Sequence, residues 1–271
     1  MNSADYLKSF CEDRKHLIRK YASTWGKVKI VEIDSLPVLE IPSPQLLAGF
    51  SSYLKYRCKR KKVYFRGEKD FHSSTIPSLF RNINCEIESE IKNRKKAFDD
   101  LVNTLPQLYT SKRFKKEDFR PLLQHYGIRT DWIDLVDNIF VALWFSNNRS
   151  DKAFSYIKFF IDTNLVIKNL REENSSLSLR AHCQHGFSAT KRVTEWNVES
   201  LDFKNNMIAI AKLPNIPEMQ LHDYVFSDEY MFPNEELDNT FKLLRKEKFQ
   251  IALNKITSRN GIGENALGMI K

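Results

Sequence analysis

The stretch Val63-Tyr-Phe-Arg-Gly-Glu68 places apolar and aromatic residues directly before a charged end. Its β-branched and aromatic content predicts a strand in the core of the protein. Arg66 would leave the sheet at the end of this strand, where Gly67 allows a ligand or another chain to approach closely. A guanidinium group in that position suits a phosphate or a carboxylate, because it forms charge-assisted, bidentate hydrogen bonds.

A second stretch, Leu122-Leu-Gln-His-Tyr-Gly-Ile-Arg-Thr-Asp-Trp-Ile-Asp134, also places polar side chains inside an apolar run. His125 lies at the end of a predicted helix, where an imidazole either caps the last carbonyl groups or projects into a cleft. Asp134 is its candidate partner, in a catalytic pair or in a structural hydrogen bond. Asp131 and Asp134 are also the carboxylates with which Arg66 would form a buried structural ion pair, the alternative to ligand binding.

The periodicity of the remaining chain predicts an α+β fold. Predicted helices cover Ser3–Tyr21, Pro44–Arg57 behind a cap at Ser43, Cys85–Val102, Lys116–Tyr126, Asp137–Ser146 and Leu237–Ile256. Predicted strands cover Val28–Ile33, Lys62–Glu68, Phe154–Ile161 and Met207–Leu213. Only 8 glycines occur and they form no glycine-rich phosphate loop, which excludes the common nucleotide-binding loops. We expect an N-terminal helix and strand over residues 1–42, packed on a core domain over residues 43–271.

The charge of the chain favours an anionic partner. Its 271 residues include 43 Lys and Arg against 34 Asp and Glu, a formal net charge of +9 that suits a nucleotide, a nucleic acid or an acidic protein. The 4 cysteines are scattered without a CxxC pair, so no disulfide framework is predicted. The N-terminus is charged, and no later run approaches the roughly 20 apolar residues that span a bilayer. We therefore expect a cytoplasmic protein with no membrane segment.

These segments, together with Ile76-Pro-Ser-Leu-Phe-Arg81 and Ile139-Phe-Val-Ala-Leu-Trp-Phe145, resemble the FRG-domain family, which is named after its Phe-Arg-Gly triplet. The family pattern usually continues after the histidine segment as Pro-Thr-Arg-Leu-Leu-Asp-Trp. This chain has Arg129-Thr-Asp-Trp-Ile-Asp-Leu135 there, which keeps Thr130 and Asp134 but changes their neighbours.

A third family-like segment is Arg180-Ala-His-Cys-Gln-His-Gly-Phe-Ser-Ala-Thr190, which contains the Gln-x-Gly-Phe element of FRG domains. The resemblance places Gln184 and Gly186 in the cleft. His182, Cys183 and His185 lack a fourth ligand at suitable spacing, so no metal site is predicted.

The chain also resembles, more loosely, the mono-ADP-ribosyltransferases. Tyr64-Phe-Arg-Gly67 would be their aromatic-Arg-Gly strand, Phe187-Ser-Ala-Thr190 their Ser-Thr-Ser-like strand, and Glu229 or Asp228 their downstream acidic residue. The resemblance implies a small mixed or antiparallel sheet with several helices and NAD as the cofactor. The implied NAD-binding residues are Arg66, Gly67, Tyr64, Gln184, Ser188 and Thr190, and the implied catalytic residues are Glu229, Asp228 and His125. The alternative for the acidic segment is a solvated turn.

Two other functions stay open at this level. The basic runs Arg57-Cys-Lys-Arg-Lys-Lys62, Lys92-Asn-Arg-Lys-Lys96 and Lys112-Arg-Phe-Lys-Lys116 suit a non-catalytic module that binds nucleic acid, or they are solvated helix faces. Phosphodiester cleavage by His125 and a carboxylate is the third hypothesis. The leading hypothesis is an NAD-dependent ADP-ribosyltransferase or NAD glycohydrolase, for which a microbial toxin or defence role is one open context.

Overall fold

The fold is α+β with a mixed sheet, as the sequence predicts. A computed structural model describes residues 3–58, 61–81, 83, 88–108, 116–173, 178–191, 198–216 and 227–260. The strands are β1 (Lys29–Ile33), β2 (Leu36–Glu40), β3 (Val63–Glu68), β4 (Ile133–Val136), β5 (Phe154–Ile161), β6 (Leu165–Asn169), β7 (Gly186–Lys191) and β8 (Met207–Pro214). The longer helices are α1 (Ser3–Thr24), α2 (Pro44–Arg57), α3 (Glu88–Leu108), α4 (Lys116–Leu122), α5 (Ile139–Asn147) and α11 (Glu247–Arg259). The shorter helices are α6 (Leu170–Glu173), α7 (Leu179–Cys183), α8 (Val198–Leu201), α9 (Asp228–Met231) and α10 (Asn239–Leu244).

The chain folds as two compact units. The first comprises residues 1–75, 136–163 and 203–227, and the second comprises residues 76–135, 164–202 and 228–271. The predicted division into residues 1–42 and 43–271 remains a prediction. No helix in the described parts of the chain is long and apolar enough to cross a membrane.

The first unit is built on a sheet with the strand order β1-β2-β8-β5-β3. Its pairs are antiparallel except for β2 and β8, which run parallel. Helix α2 begins where the Ser43 side chain accepts a hydrogen bond from the Leu46 N–H (3.3 Å). Its Phe50 packs edge-on against Phe159 of β5, with ring centroids 5.0 Å apart. These two buried aromatic rings therefore lie between the helix and the sheet.

The space beside Gly67 is occupied by the backbone of a helix and is not open to a ligand. A Cβ atom at this position would lie 1.9 Å from the backbone oxygen of Ala142 in α5. No side chain fits there, because the helix backbone cannot move away as the tip of a flexible side chain can. The close approach that the sequence predicts at Gly67 is thus made by α5.

The second unit surrounds a large apolar core and a smaller set of strands in the order β4-β7-β6. Strands β6 and β7 pair antiparallel, with Lys168 opposite Ser188. Phe98 of α3, Phe119 of α4 and Phe249 of α11 are buried in the same cluster. This core fixes the position of the short turn, Leu123–Tyr126, that carries His125.

Several predicted boundaries are wrong. The helix expected over Cys85–Val102 is described from Glu88 and continues to Leu108, and residues 84–87 lie outside the described part of the chain. The helix expected over Leu237–Ile256 is divided into α10 and α11, because Lys246 has extended backbone angles (φ −63°, ψ 140°). Strands β2, β4 and β6 were not predicted.

Candidate active site

Gln184 holds the His125 imidazole in one orientation. The Gln184 Nε2 group donates a hydrogen bond to the Met231 carbonyl oxygen (2.9 Å), which turns its Oε1 atom towards His125. That Oε1 atom lies 2.7 Å from His125 Nδ1. Because an amide oxygen only accepts, Nδ1 must carry the proton of this hydrogen bond. A neutral His125 ring therefore has its lone pair on Nε2.

His125 Nε2 faces the carboxylate of Asp134. The distance from Nε2 to Asp134 Oδ1 is 3.6 Å, longer than a hydrogen bond. Nε2 is buried and has no hydrogen-bond partner among the described residues. The His125 side chain is 3% exposed, whereas the Asp134 side chain is 34% exposed. The imidazole and the carboxylate thus form a candidate acid–base pair whose two facing atoms are buried, while other atoms of the Asp134 side chain are exposed to solvent.

The residues Gln184-His185-Gly186 form the turn that connects α7 to β7. Gln184 caps α7, and His185 adopts a left-handed conformation (φ 51°) that directs the chain into β7. A Cβ atom on Gly186 would lie 2.8 Å from His125 Cε1 and 3.1 Å from Nε2. Glycine at position 186 therefore leaves the space that the imidazole occupies.

One face of β7 lies towards the segment that carries His125. Side chains alternate along a strand, so Gly186, Ser188 and Thr190 share a face. Thr190 donates a hydrogen bond from Oγ1 to the Asp131 carbonyl oxygen (3.1 Å). Ser188 is fully buried, and its Oγ atom has no hydrogen-bond partner among the described residues. The hydrogen bond to Asp131 gives Thr190 a structural role. The Ser188 hydroxyl makes no such contact among the described residues.

Asp228 and Glu229 belong to α9, whose Met231 carbonyl holds Gln184. Asp228 is half-buried and Glu229 is exposed. Helix α9 therefore contacts the His125 and Gln184 pair through its backbone. Whether either acidic side chain acts in catalysis stays a prediction.

In the first unit, Arg66 forms an ion pair with Glu68, a partner that the sequence did not predict. Arg66 Nε lies 3.0 Å from Glu68 Oε1, and its side chain is 15% exposed. The other Glu68 oxygen lies 2.9 Å from Nζ of the fully buried Lys158. Lys158 also donates to the Ser74 carbonyl (2.8 Å) and to Thr75 Oγ1 (2.9 Å).

The pKa values of Glu68 and Tyr64 are shifted in opposite directions by burial and by neighbouring charges. Burial alone would raise the pKa of Glu68, but the charges and hydrogen bonds of Arg66 and Lys158 hold it below its usual range. Burial, reinforced by the negative charges of Asp162 and Asp137, raises the pKa of Tyr64 to about 12. Tyr64 is only 4% exposed, so its predicted contact with a nucleotide would require a movement of its surroundings.

Some of the residues predicted from the sequence lie in a recognisable domain. Residues 61–154 match the family model of the FRG domain. The chain contains an FRG domain. The comparisons with curated proteins and with solved structures give no match.

The matched FRG domain contains some of the candidate functional residues and not others. Arg66, Gly67, His125 and Asp134 lie within residues 61–154, as do Asp131 and the start of β5. Gln184, Gly186 and Ser188 lie beyond them. The partner that orients the FRG-domain histidine is therefore supplied by chain that follows the matched segment.

A buried polar network beside the FRG-domain histidine was missed from the sequence. The Tyr126 hydroxyl donates to Asp238 (2.8 Å to Oδ2) and contacts Ser178 Oγ (2.7 Å). Arg180 donates from Nη1 to the His125 carbonyl (3.2 Å) and stacks on the Phe241 ring, 4.0 Å from its centroid. Burial, and then the charge of Asp238, raise the pKa of Tyr126, so its hydroxyl stays protonated. These contacts hold the His125 backbone and the Tyr126 side chain in place.

Asp238 differs from the other described acidic residues of this segment because it is buried. It is fully buried, and it caps α10 by accepting a hydrogen bond from the Phe241 N–H (3.0 Å). The signal in the sequence was the spacing of Asp238 before a helical segment, which is typical of a cap. Most of the neighbouring acidic residues in the described range 227–238 are exposed or half-buried.

Three of the cations in the basic run on α3 lie close to acidic side chains. Lys92 lies 2.7 Å from Glu88, Arg94 lies 2.9 Å from Glu90, and Lys95 lies 3.5 Å from Asp131. These pairs reduce the positive charge that the run presents to a polyanion. The run over residues 112–116 lies outside the residues whose side chains are described, and the run over residues 57–62 does so in part. Among the described residues, no group of three or more His, Cys, Asp or Glu could hold a metal ion.

Proposed function

We propose that the chain is an enzyme that cleaves the bond between ribose and nicotinamide in NAD, with His125 and Asp134 as the reacting pair. The ADP-ribose is passed to water or to an acceptor molecule. The observation that carries the proposal is the buried His125 Nε2 atom, which faces Asp134 with its ring orientation fixed by Gln184. A base that is oriented through one ring nitrogen, and whose other nitrogen makes no hydrogen bond to the described residues, is an arrangement that suits proton transfer.

The chemistry assigns one role to each group. When the glycosidic bond breaks, its electron pair leaves with nicotinamide, and positive charge develops on the ribose. The Asp134 carboxylate stabilises that charge, as carboxylates do in glycoside hydrolysis. Water then adds to the ribose carbon and gives its proton to His125 Nε2. The balance is NAD and water to ADP-ribose, nicotinamide and a proton.

This proposal places the catalytic carboxylate at Asp134 and not at Glu229 or Asp228. The support for Asp134 is its position beside a buried imidazole, whereas Glu229 is exposed on α9. Nicotinamide release at saturating NAD distinguishes them. Asp134→Asn should lower the rate by about 100-fold or more, the usual contribution of a positioned acid or base. The matched control Glu229→Gln should leave the rate within about twofold. A large loss in Glu229→Gln with full activity in Asp134→Asn would reverse the assignment.

The contact of Arg66 with the NAD diphosphate stays a prediction from the sequence and is tested separately from the reacting pair; within the first unit, Arg66 is held in place by Glu68. Calorimetric titration with NAD tests this part of the proposal. A charge-assisted hydrogen bond contributes about 1.5–3 kcal/mol, so Arg66→Ala should weaken binding at least tenfold. The exposed cation Lys69 provides the control, because Lys69→Ala should bind NAD as the unchanged chain does. Unaltered affinity in Arg66→Ala would remove Arg66 from the site, and absence of binding at millimolar NAD would contradict the whole proposal.

A further inference from the structure

The first unit contains a cavity of about 290 Å³ that the proposed function does not use. Ile18 of α1, Leu36 of β2, and Ile208 and Ile210 of β8 contribute apolar walls. A small-molecule site typically combines such walls with a few polar groups at defined positions. The composition of this cavity therefore suits a ligand with an apolar body.

Positive charge is concentrated on the same cavity. Arg14, Lys15 and Lys204 all contribute to its lining, and none of the described lining residues is acidic. Lys15 and Lys204 are exposed, so the charged part of the lining is accessible from solvent. An anionic group is the complement of this part of the lining, because cations focus a field that favours negative charge.

Arg14 is held rigidly at this position. Its Nη1 group donates to the Met207 carbonyl oxygen (2.7 Å), and its Nη2 group donates to the Asn205 carbonyl oxygen (2.6 Å). Both of these acceptors are backbone carbonyl groups. A fixed guanidinium loses less side-chain entropy when a ligand binds than a mobile one does.

We propose that this cavity binds a monomeric medium-chain carboxylate, of which octanoate is the test ligand. The alkyl chain lies against Ile18, Leu36 and Ile208, and the carboxylate lies among Arg14, Lys15 and Lys204. The proposal does not depend on NAD cleavage by His125 and Asp134. It is tested by binding alone, so its outcome is independent of the outcome for the proposed function.

Calorimetric titration of the full chain with hexanoate, heptanoate and octanoate tests the apolar part of the site. Burying one methylene group contributes enough free energy to strengthen binding about 4-fold, so the affinity should rise by that factor at each step. Neutral 1-octanol should bind at least tenfold more weakly than octanoate. No heat of binding for octanoate, equal affinity for 1-octanol, or binding to phosphatidylglycerol vesicles without binding to octanoate would each overturn the proposal.

Variants test the named residues. Lys204→Glu and Lys15→Glu reverse exposed charges and should each weaken octanoate binding about tenfold or more. Lys20→Glu is the matched control, since Lys20 is exposed on α1 but does not contribute to the cavity lining. Leu36→Trp fills the cavity and should abolish binding, with circular dichroism confirming that the variant is folded. Equal loss of binding in Lys20→Glu and Lys204→Glu would show a general charge effect and contradict the assigned site.

Discussion

At the scale of single residues, the space beside the His125 ring depends on Gly186. The Gly186 backbone lies outside the left-handed region, so alanine meets no backbone penalty there, but its Cβ would lie 2.8 Å from His125 Cε1. We expect Gly186→Ala to displace the imidazole and to lower nicotinamide release about 100-fold, because small misplacements of reacting groups are costly. Overpacking should also lower the free energy of unfolding by about 1–3 kcal/mol.

A second glycine provides the control for this prediction. A Cβ on Gly26 would meet nothing within 4 Å, so Gly26→Ala should change the free energy of unfolding by less than about 0.5 kcal/mol and leave activity intact. Chemical unfolding and nicotinamide release are measured on both variants. Full activity in Gly186→Ala would show that the ring does not need its present position.

The sequence identifies some of these residues and misses others for a physical reason. His125, Asp134, Gln184 and Gly186 stand in short segments whose polar residues contrast with apolar neighbours. The partner of Arg66 is harder to predict, because Lys158 meets Glu68 only through the pairing of β3 with β5. Register between distant strands depends on packing that a single sequence does not display. The ion pair between Arg66 and Glu68 was therefore not predicted.

At the scale of elements, the hairpin of β1 and β2 shows a strained turn. Asp34 and Ser35 both have positive φ (48° and 61°), which the two-residue turn between twisted strands requires. A left-handed residue other than glycine costs about 1–2 kcal/mol. We expect Ser35→Gly to raise the free energy of unfolding by about 0.5–1 kcal/mol, because glycine removes that cost and adds a smaller entropic one.

A serine-to-glycine substitution in a helix should instead lower the free energy of unfolding. Ser52 is exposed within α2, where Ser52→Gly should lower the free energy of unfolding by roughly 0.5 kcal/mol. The two denaturation midpoints are compared with that of the unchanged chain. Destabilisation by both variants would mean that Ser35 is not strained in solution.

Several long elements were predicted well, and three short strands were not. Periodicity over many residues identified α1, α2 and β5, and the cap at Ser43 fixed the start of α2. Strand β2 was missed because its preceding turn uses Asp34-Ser35 instead of the asparagine or glycine that usually marks a hairpin. Strand β4 has only four residues, too few for alternation to distinguish it from a loop.

At the scale of the whole molecule, the net charge of +9 does not by itself select a partner. On α3, three cations lie close to acidic side chains, so the formal charge exceeds what this helix presents. Binding of nucleic acid and a cytoplasmic location stay predictions from the sequence. The same holds for a closer relationship to the ADP-ribosyltransferases, whereas the FRG domain and the α+β fold are established.

The orientation of the His125 imidazole in the full chain is the property on which the proposed reaction depends. A long-range ¹H–¹⁵N correlation spectrum, recorded at a pH where the ring is neutral and assigned with His125→Asn, reports which nitrogen carries the proton. We expect the proton on Nδ1, bonded to Gln184, and an unprotonated Nε2 facing Asp134. A neutral ring with its proton on Nε2 would contradict this arrangement and remove the base from the proposed reaction.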